Sequence, residues 1–342
     1  MATASERNNK ILDLVSRQNL PKYTYDQIIE AIYKKGVKTF DQITNVSKEL
    51  RSLLSQNIGN ILTLEKIQES NSEYASKILF KTLDGQTIET VKMNYKNHTS
   101  LCISTQVGCQ MGCKFCATGA AGFVRDLSCD EIVDQVLYFL QEGQKIDTII
   151  VSGMGEPFVN PNFFDALEIS TDKKYLGFGA RKISVSTVGI VPGITKLSKE
   201  YPQINIALSL HSPFQAERES LIPAGKSYKI KDIFHALDGH VNKNKRKVFL
   251  VYLLLREVND SKEHAQALVK LIKERGVNSY LYHVNLMKFH PGDTTYSFGE
   301  TNLVALKYFE ETLKKNGINY TVRQDFGLGI DAACGQLRSR KI

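Results

Sequence analysis

Apolar residues recur along this chain with two different periods, and the change of period divides it. Up to about residue 55 the period is helical. Ile11, Leu12, Leu14 and Val15 form one apolar stripe, Ile28, Ile29, Ile32 and Tyr33 a second, and Leu50, Leu53 and Leu54 a third. Lysines, including Lys34, Lys35 and Lys38, decorate the polar faces. The pattern predicts a small helical accessory domain over residues 1–70. It then shortens. Ile78–Phe80 and Ile88–Met93 flank Asp84-Gly85, a dipeptide suited to a tight turn, and predict a β-hairpin extension over 71–94. Glu89 lies in its second strand and is, by itself, an ordinary strand carboxylate.

From about residue 98 to 323, short β-branched runs alternate with amphipathic stretches. The strands expected are Leu101–Thr105, Thr148–Ser152, Lys182–Ser186, Asn205–Leu210, Val248–Leu254 and Leu281–Leu286. The helices expected are Cys129–Gln141, Asn162–Ser170, Ile230–Asn242, Lys262–Arg275 and Leu303–Lys315. Repeated strand–helix units build a parallel sheet with helical crossovers. The fold class expected is therefore α/β, a partial (βα)6 barrel over 95–329, with residues 330–342 as a C-terminal loop. In such barrels the chemistry gathers at the C-terminal ends of the strands.

Charge and cysteine usage narrow the function. The formal net charge of +8 favours a polyanionic partner, most simply a nucleic acid. Two basic runs, Lys243–Lys247 and Arg338–Lys341, are candidates for phosphate contact, with a solvated face as the plain alternative. No run of 18 apolar residues predicts a membrane span, and no apolar signal-peptide core opens the chain, so a cytoplasmic protein without membrane attachment is expected. Six cysteines, three of them in one loop, fit a metal site in a reducing compartment better than a disulfide scaffold.

That loop is Cys109-Gln-Met-Gly-Cys113-Lys-Phe-Cys116, placed directly after the first barrel strand. Soft thiolates at this density select zinc or an iron–sulfur cluster. Both normally take four protein ligands, and no fourth cysteine or histidine lies close by in sequence. Three thiolates on a four-iron cluster leave one iron open to S-adenosylmethionine (SAM), the arrangement whose spacing marks the radical SAM superfamily. A zinc site with a distant fourth ligand, or buried structural thiols, are the alternatives. One strand later comes Gly153-Met-Gly155-Glu156-Pro157. Its glycines permit close backbone approach to a ligand, and Glu156 supplies a carboxylate able to hold the SAM ammonium. Ser186 ends the third strand, Ser209-Leu210-His211 the fourth, and His290-Pro291 follows the sixth. Hydroxyls and imidazoles at that rim suit cofactor contacts; cross-strand hydrogen bonding is the plain reading, preferred for Ser184. Cys102 and Cys334 lie outside the cluster motif and could be buried apolar thiols, the reading kept for Cys129.

Taken together, Glu89, Cys102, the cysteine loop, Gly153–Pro157, Ser209–Ser212 and Ile330-Asp-Ala-Ala-Cys334-Gly-Gln-Leu337 resemble the radical SAM rRNA adenine methyltransferases. The resemblance spans nearly the whole chain. Ser209-Leu-His-Ser-Pro213, Glu200-Tyr-Pro-Gln203 and Leu281–Leu286 are closer to its Cfr type, which methylates adenine C8, than to its RlmN type, which methylates C2. It implies a [4Fe–4S] cluster on Cys109, Cys113 and Cys116, and two SAM per turnover. It also implies an adenosine of 23S rRNA in the peptidyl-transferase centre as substrate, with antibiotic resistance as consequence. By the same resemblance Cys334 carries the methyl group, a 5′-deoxyadenosyl radical takes hydrogen from it, and the methylene adds to adenine. Cys102 then frees the product through a transient disulfide with Cys334, and Glu89 accepts a proton. Gly155, Glu156, Ser186, Ser209, Leu210 and His211 would contact SAM. His290 stands where the family usually has an asparagine that contacts SAM. An electron donor such as flavodoxin or ferredoxin and a monomeric state complete the expectation.

Three readings compete with C8 methylation. They are the C2 enzyme, which can also modify tRNA, a zinc-stabilised RNA-binding protein without catalysis, and a different radical SAM reaction such as protein activation. The last would leave Cys102 and Cys334 without roles.

Overall fold

The computed structural model describes residues 5–291, 294, 296–324, 327–332 and 335–337. The apolar stripes at the start become three helices, α1 (Glu6–Arg17), α2 (Lys22–Tyr33) and α3 (Lys48–Ile58). Ser5 and Ser47 cap α1 and α3 by accepting the amides of Asn8 and Leu50, which satisfies otherwise orphaned donors.

The next segment holds the expected hairpin around Asp84-Gly85, and one more strand before it makes a three-stranded antiparallel meander. Its strands are β1 (Leu64–Asn71), β2 (Ala75–Thr82) and β3 (Thr87–Asn94). β1 falls within the stretch read as helical accessory domain, so the boundary at residue 70 is corrected. It is a sheet edge whose residues are mostly exposed or half-buried, so it carries almost none of the apolar alternation that announces a strand.

The core then runs through β4 (Thr99–Ile103), β5 (Gln106–Gly108), α4 (Ala117–Ala120), β6 (Phe123–Asp126), α5 (Cys129–Gln141), β7 (Thr148–Val151), α6 (Phe163–Thr171), β8 (Ile183–Thr187), α7 (Val191–Glu200), β9 (Asn205–Ser209), α8 (Gln215–Leu221), α9 (Ile230–Asn244), β10 (Val248–Leu254), α10 (Lys262–Lys273), β11 (Tyr282–Lys288), α11 (Leu303–Lys315) and β12 (Tyr320–Val322). Ten described strands form one sheet in the order β1-β2-β3-β4-β7-β8-β9-β10-β11-β12. From β4 to β12 every neighbouring pair is parallel. This is the partial barrel expected, extended by β12 on one flank and by the antiparallel meander on the other.

Alternation along the parallel strands creates the site. One face of β7 to β10 presents Ile149, Val151, Ile183, Val185, Ile206, Leu208 and Leu250, all buried in the main core. Burying such side chains contributes roughly 1.5–3 kcal/mol each and fixes the register, because a slip of one residue would turn them outward. The other face carries smaller and more polar residues: Ile150 and Ser152, Ser184 and Ser186, Ala207 and Ser209, and Asn285 and Met287 on β11. These eight residues line a cavity.

The N-terminal helices are fixed to this core by a buried ionic knot. Arg7 Nη1 donates to Asp134 on α5 and to the Ile61 carbonyl, both at 2.6 Å, and its Nη2 donates to Tyr33 Oη at 2.9 Å. Asp134 also accepts from the amide and hydroxyl of Thr63. Removing one member would strand a buried charge, at a cost of about 3–5 kcal/mol. No described helix is long and apolar enough to cross a membrane.

Candidate active site

β5 and β6 form a small ribbon at the C-terminal end of β4, and the cysteine loop bridges them. Gly108 opens the loop with φ of +75°, and a Cβ there would sit 2.0 Å from the Gly122 carbonyl oxygen. Only glycine fits so close a crossing. The amide of Cys109 donates to that same carbonyl at 2.8 Å, closing the loop's base.

Cys109, Cys113 and Cys116 all line a cavity of about 250 Å³ at the C-terminal ends of the strands. The sequence placed Gly155, Glu156, Ser186, Ser209 and His211 at a cofactor site, and all five line this cavity. Leu210 does not; it is fully buried in the main core beneath the rim. Gly155 has φ of +101°, and a Cβ there would lie 2.6 Å from the Gln106 side chain. Gln106 in turn accepts the Glu156 amide at 3.0 Å.

Glu156 is buried, with its carboxylate accepting the amides of Val188 at 2.8 Å and Phe158 at 3.3 Å. Burial outweighs those donors and pushes its carboxyl up to about 7. His211 adopts φ of +56°, unusual for a side chain with a Cβ. Its Nδ1 accepts the Leu253 amide at 3.0 Å, so the ring proton resides on Nε2. Burial and the neighbouring Arg218 charge lower its pKa to about 3, which leaves a neutral donor. Phe115, within the cysteine loop, packs edge-on against this ring at 4.7 Å between centroids.

A second cavity of about 140 Å³ adjoins the first and shares Cys116, Thr118, Ser152, Gly153, Arg323 and Gly335 with it. Cys102 lines this second chamber with Val91 and Met93. So does His290, which pairs with Glu300 at 3.5 Å. His290 thus lines the adjoining chamber and is not among the residues of the cavity that holds Glu156 and His211. Asn285 on β11 lines that first cavity instead. Glu89 lines neither chamber. It is buried on β3 and ion-paired with Lys77 at 3.0 Å, and Lys77 also donates to the Asp331 carbonyl at 3.2 Å.

Cys334 and the tail Arg338–Lys341 lie outside the described residues. Their neighbours dock on the cysteine loop: the Gly335 carbonyl accepts the Ala117 amide at 2.7 Å, and the Leu337 carbonyl accepts from Thr118 Oγ1 at 2.5 Å. No two described cysteines are joined by a disulfide. Cys129 is buried on α5, as the plain reading held. The basic run Lys243–Lys247 precedes β10 and so sits at the end of the strands away from both chambers. Arg246 there donates to Asn205 Oδ1 at 2.7 Å.

Two residues that pattern reading passed over organise the rim. Asn259 is fully buried; its Nδ2 donates to the carbonyls of His211 at 2.6 Å and Leu253 at 2.8 Å, and its Oδ1 accepts the Leu255 amide at 2.7 Å. Arg218 on α8 is also fully buried. Its Nη2 donates to the carbonyls of Val188 and Ser209, while Nε and Nη1 have no partner among the described residues.

The thiol set fits an iron–sulfur cluster. Burial pushes Cys109 up to about 12 and raises Cys113 as well, so these side chains become thiolates when a strong Lewis acid takes their charge. The orphaned guanidinium beside Cys113 and the glycine crossing at the loop's base suit an anionic group seated there.

The radical SAM superfamily profile matches residues 103–294, and that of the ribosomal RNA large subunit methyltransferase N-terminal domain matches residues 8–59. The chain is 44% identical over 340 residues to "Ribosomal RNA large subunit methyltransferase Cfr" of Clostridium botulinum (strain Loch Maree / Type A3), covering 98% of each chain. The chain belongs to the radical SAM family of Cfr-type methyltransferases. It is 43% identical over 331 residues to the protein of the same name from Staphylococcus aureus, covering 96% of this chain and 95% of that one. A radical SAM methyltransferase from Sphaerobacter thermophilus superposes with a TM-score of 0.91 at 36% identity, covering 98% of this chain and 99% of that one. As a radical SAM methyltransferase the chain uses a [4Fe–4S] cluster and SAM.

Proposed function

We propose that this enzyme methylates C8 of an adenosine in the peptidyl-transferase centre of 23S rRNA, using Cys334 as methyl carrier, and so confers resistance to antibiotics that bind there. The observation that carries the reading is the pair of adjoining chambers. One holds the three thiols with Glu156 and His211; the other holds Cys102; Gly335, the residue after Cys334, borders both. Near-full-length identity to proteins named Cfr supports rRNA as substrate and C8 as the carbon.

When bound, the cluster on Cys109, Cys113 and Cys116 supplies the electron that turns SAM into a source of carbon radicals. The chain's own groups do the rest. Glu156, ionised, pairs with the SAM ammonium. His211 offers Nε2–H as a neutral donor, and Ser186 and Ser209 offer hydroxyls to the ribose or carboxylate. Leu210 seats the rim from below. Cys334 takes a methyl group from one SAM by displacement and loses a hydrogen atom from it to the radical made from a second. The resulting methylene bonds to the adenine carbon. Glu89 accepts the proton released from that carbon, with Lys77 as its counter-ion. The adduct radical would give up its odd electron to the cluster, the Cys102 thiolate then attacks Cys334 sulfur, the C–S bond breaks, and its electron pair takes a proton from solvent to complete the methyl group as the transient disulfide frees the base. A radical route is needed because the adenine C–H carbon is not nucleophilic.

A cytoplasmic monomer fed by flavodoxin or ferredoxin fits this substrate. C2 methylation is the second reading, since the same residues serve it. The test is to add SAM, a reductant and an unmodified 23S rRNA fragment to the anaerobically reconstituted enzyme and to chromatograph the digested nucleosides. Co-elution with 8-methyladenosine is expected; 2-methyladenosine alone would overturn the C8 assignment.

A further inference from the structure

Arg218 carries a buried charge with no counter-ion among the described residues. It is fully buried on α8, the short helix that follows β9. One guanidinium nitrogen, Nη2, is held by the Val188 and Ser209 carbonyls beyond the ends of β8 and β9. The other two, Nε and Nη1, are buried without a hydrogen-bond partner among the described residues. No carboxylate pairs with it among those residues, and the two carbonyls that hold it belong to residues that line the same cavity as Cys109, Cys113 and Cys116. α8 is itself clamped to the cysteine loop: the Lys114 amide donates to the Leu221 carbonyl at 3.0 Å and Lys114 Nζ to Ser220 at 3.2 Å.

An unpaired buried cation costs several kcal/mol, and such groups are retained when something anionic completes them. A four-iron cluster with three thiolates carries one net negative charge oxidised and two reduced. A fixed positive charge beside it attracts the reduced form more strongly. The potentials of such clusters follow local charge and hydrogen bonds to their sulfurs, and Arg218 has both a charge and three unused N–H donors, on Nε and Nη1.

We propose that Arg218 is the built-in counter-charge of the cluster, a positioning residue that raises its reduction potential so that the electron donor can load it. The inference rests on the reading that the three thiols hold a [4Fe–4S] cluster.

The experiment is an EPR-monitored redox titration of anaerobically reconstituted wild type, Arg218→Gln, Arg218→Met and Arg218→Lys, with iron and sulfide assayed on each sample. Both neutral variants, at wild-type iron content, are expected to show a reduced-to-oxidised ratio at least tenfold lower at a fixed solution potential, a shift of about 59 mV for a one-electron couple. The lysine variant keeps the charge and is expected to stay within about threefold of wild type. A neutral variant with a full cluster and an unchanged ratio would overturn the proposal, because a merely structural arginine would leave the potential where it was. If neither neutral variant assembles a cluster, the lysine variant decides alone: a tenfold change with the charge kept would overturn it, and a retained ratio would uphold it. A wild type holding zinc and no iron would overturn the cluster reading and this inference with it.

Discussion

Replacing Asn259 by leucine tests whether the cofactor rim is held as described. The side chain is fully buried and its amide makes three hydrogen bonds, all to backbone groups: the carbonyls of His211 and Leu253 and the amide of Leu255. Leucine has the same branched skeleton, with bulkier methyl ends, and can make none of them. Each buried group left unpaired costs about 1–3 kcal/mol, so three sum to roughly 3–9 kcal/mol of unfolding free energy. That is a large share of the 5–15 kcal/mol typical of whole domains. The substitution should also release His211. Its φ of +56° stores about 1–3 kcal/mol of strain that the surroundings must hold. Once the His211 carbonyl loses its anchor, the residue relaxes and Nε2–H no longer points where SAM binds. The assay is urea unfolding of the apo protein, followed by SAM binding to whatever remains folded. A loss of at least 3 kcal/mol and a SAM affinity at least tenfold weaker are expected. A stability change below about 1 kcal/mol, with the urea m-value unchanged, would refute the reasoning, because unpaired buried backbone groups cannot be that inexpensive.

Gly108→Ala should purify with little iron, because its Cβ would meet the Gly122 carbonyl at 2.0 Å and pry the cysteine loop open; iron at wild-type stoichiometry would contradict this. SAM affinity should strengthen as pH rises through about 7, since burial holds Glu156 protonated below that value and only the carboxylate attracts an ammonium. The same shift has the opposite sense for folding. Between its unfolded value near 4.5 and about 7 the native state keeps a proton that the unfolded state loses, so this group lowers stability as pH rises across that window. Titration of SAM binding from pH 6 to 8 in wild type and Glu156→Gln checks the first effect, and a wild type as flat as the variant would sink it. Cys102→Ala should accumulate a covalent protein–RNA adduct, seen as a shifted band on a denaturing gel, whereas free product at normal yield would exclude the disulfide step.

The parallel core was legible because its strands are buried on the helix-facing side and bounded by turns. Thr148, Val248, Cys129 and Leu303 begin elements at the positions the periodicity predicts. α7 was not, since it opens with Val191-Pro-Gly193, a sequence that reads as a break, although proline is well placed in a first helical turn. α8 and β12, at seven and three residues, are shorter than any window in which a period shows. The cysteine loop and the Gly-Met-Gly-Glu-Pro turn were legible as local strings with one chemical use. Arg218, Asn259 and Lys77 were not. Buried arginine and asparagine have the same letters as exposed ones, and only the tertiary fold shows that Nε and Nη1 of Arg218 lack partners among the described residues or that Asn259 has three. His290, whose place after the sixth strand suggested the cofactor rim, lines the chamber next to the one that holds Glu156 and His211.

The most direct test of the methyl-carrier route uses SAM bearing a fully deuterated methyl group. If Cys334 carries that methyl and gives up one hydrogen isotope before the carbon reaches adenine, the methyladenosine must retain two of the three deuteriums, with the third in 5′-deoxyadenosine. Mass spectrometry of the digested rRNA fragment reads this in one spectrum. Two deuteriums in the product, in wild type and in no Cys334→Ala sample, is the predicted result. A product that keeps all three would mean that the methyl group moved intact from SAM to adenine, and the role assigned to Cys334 would be wrong.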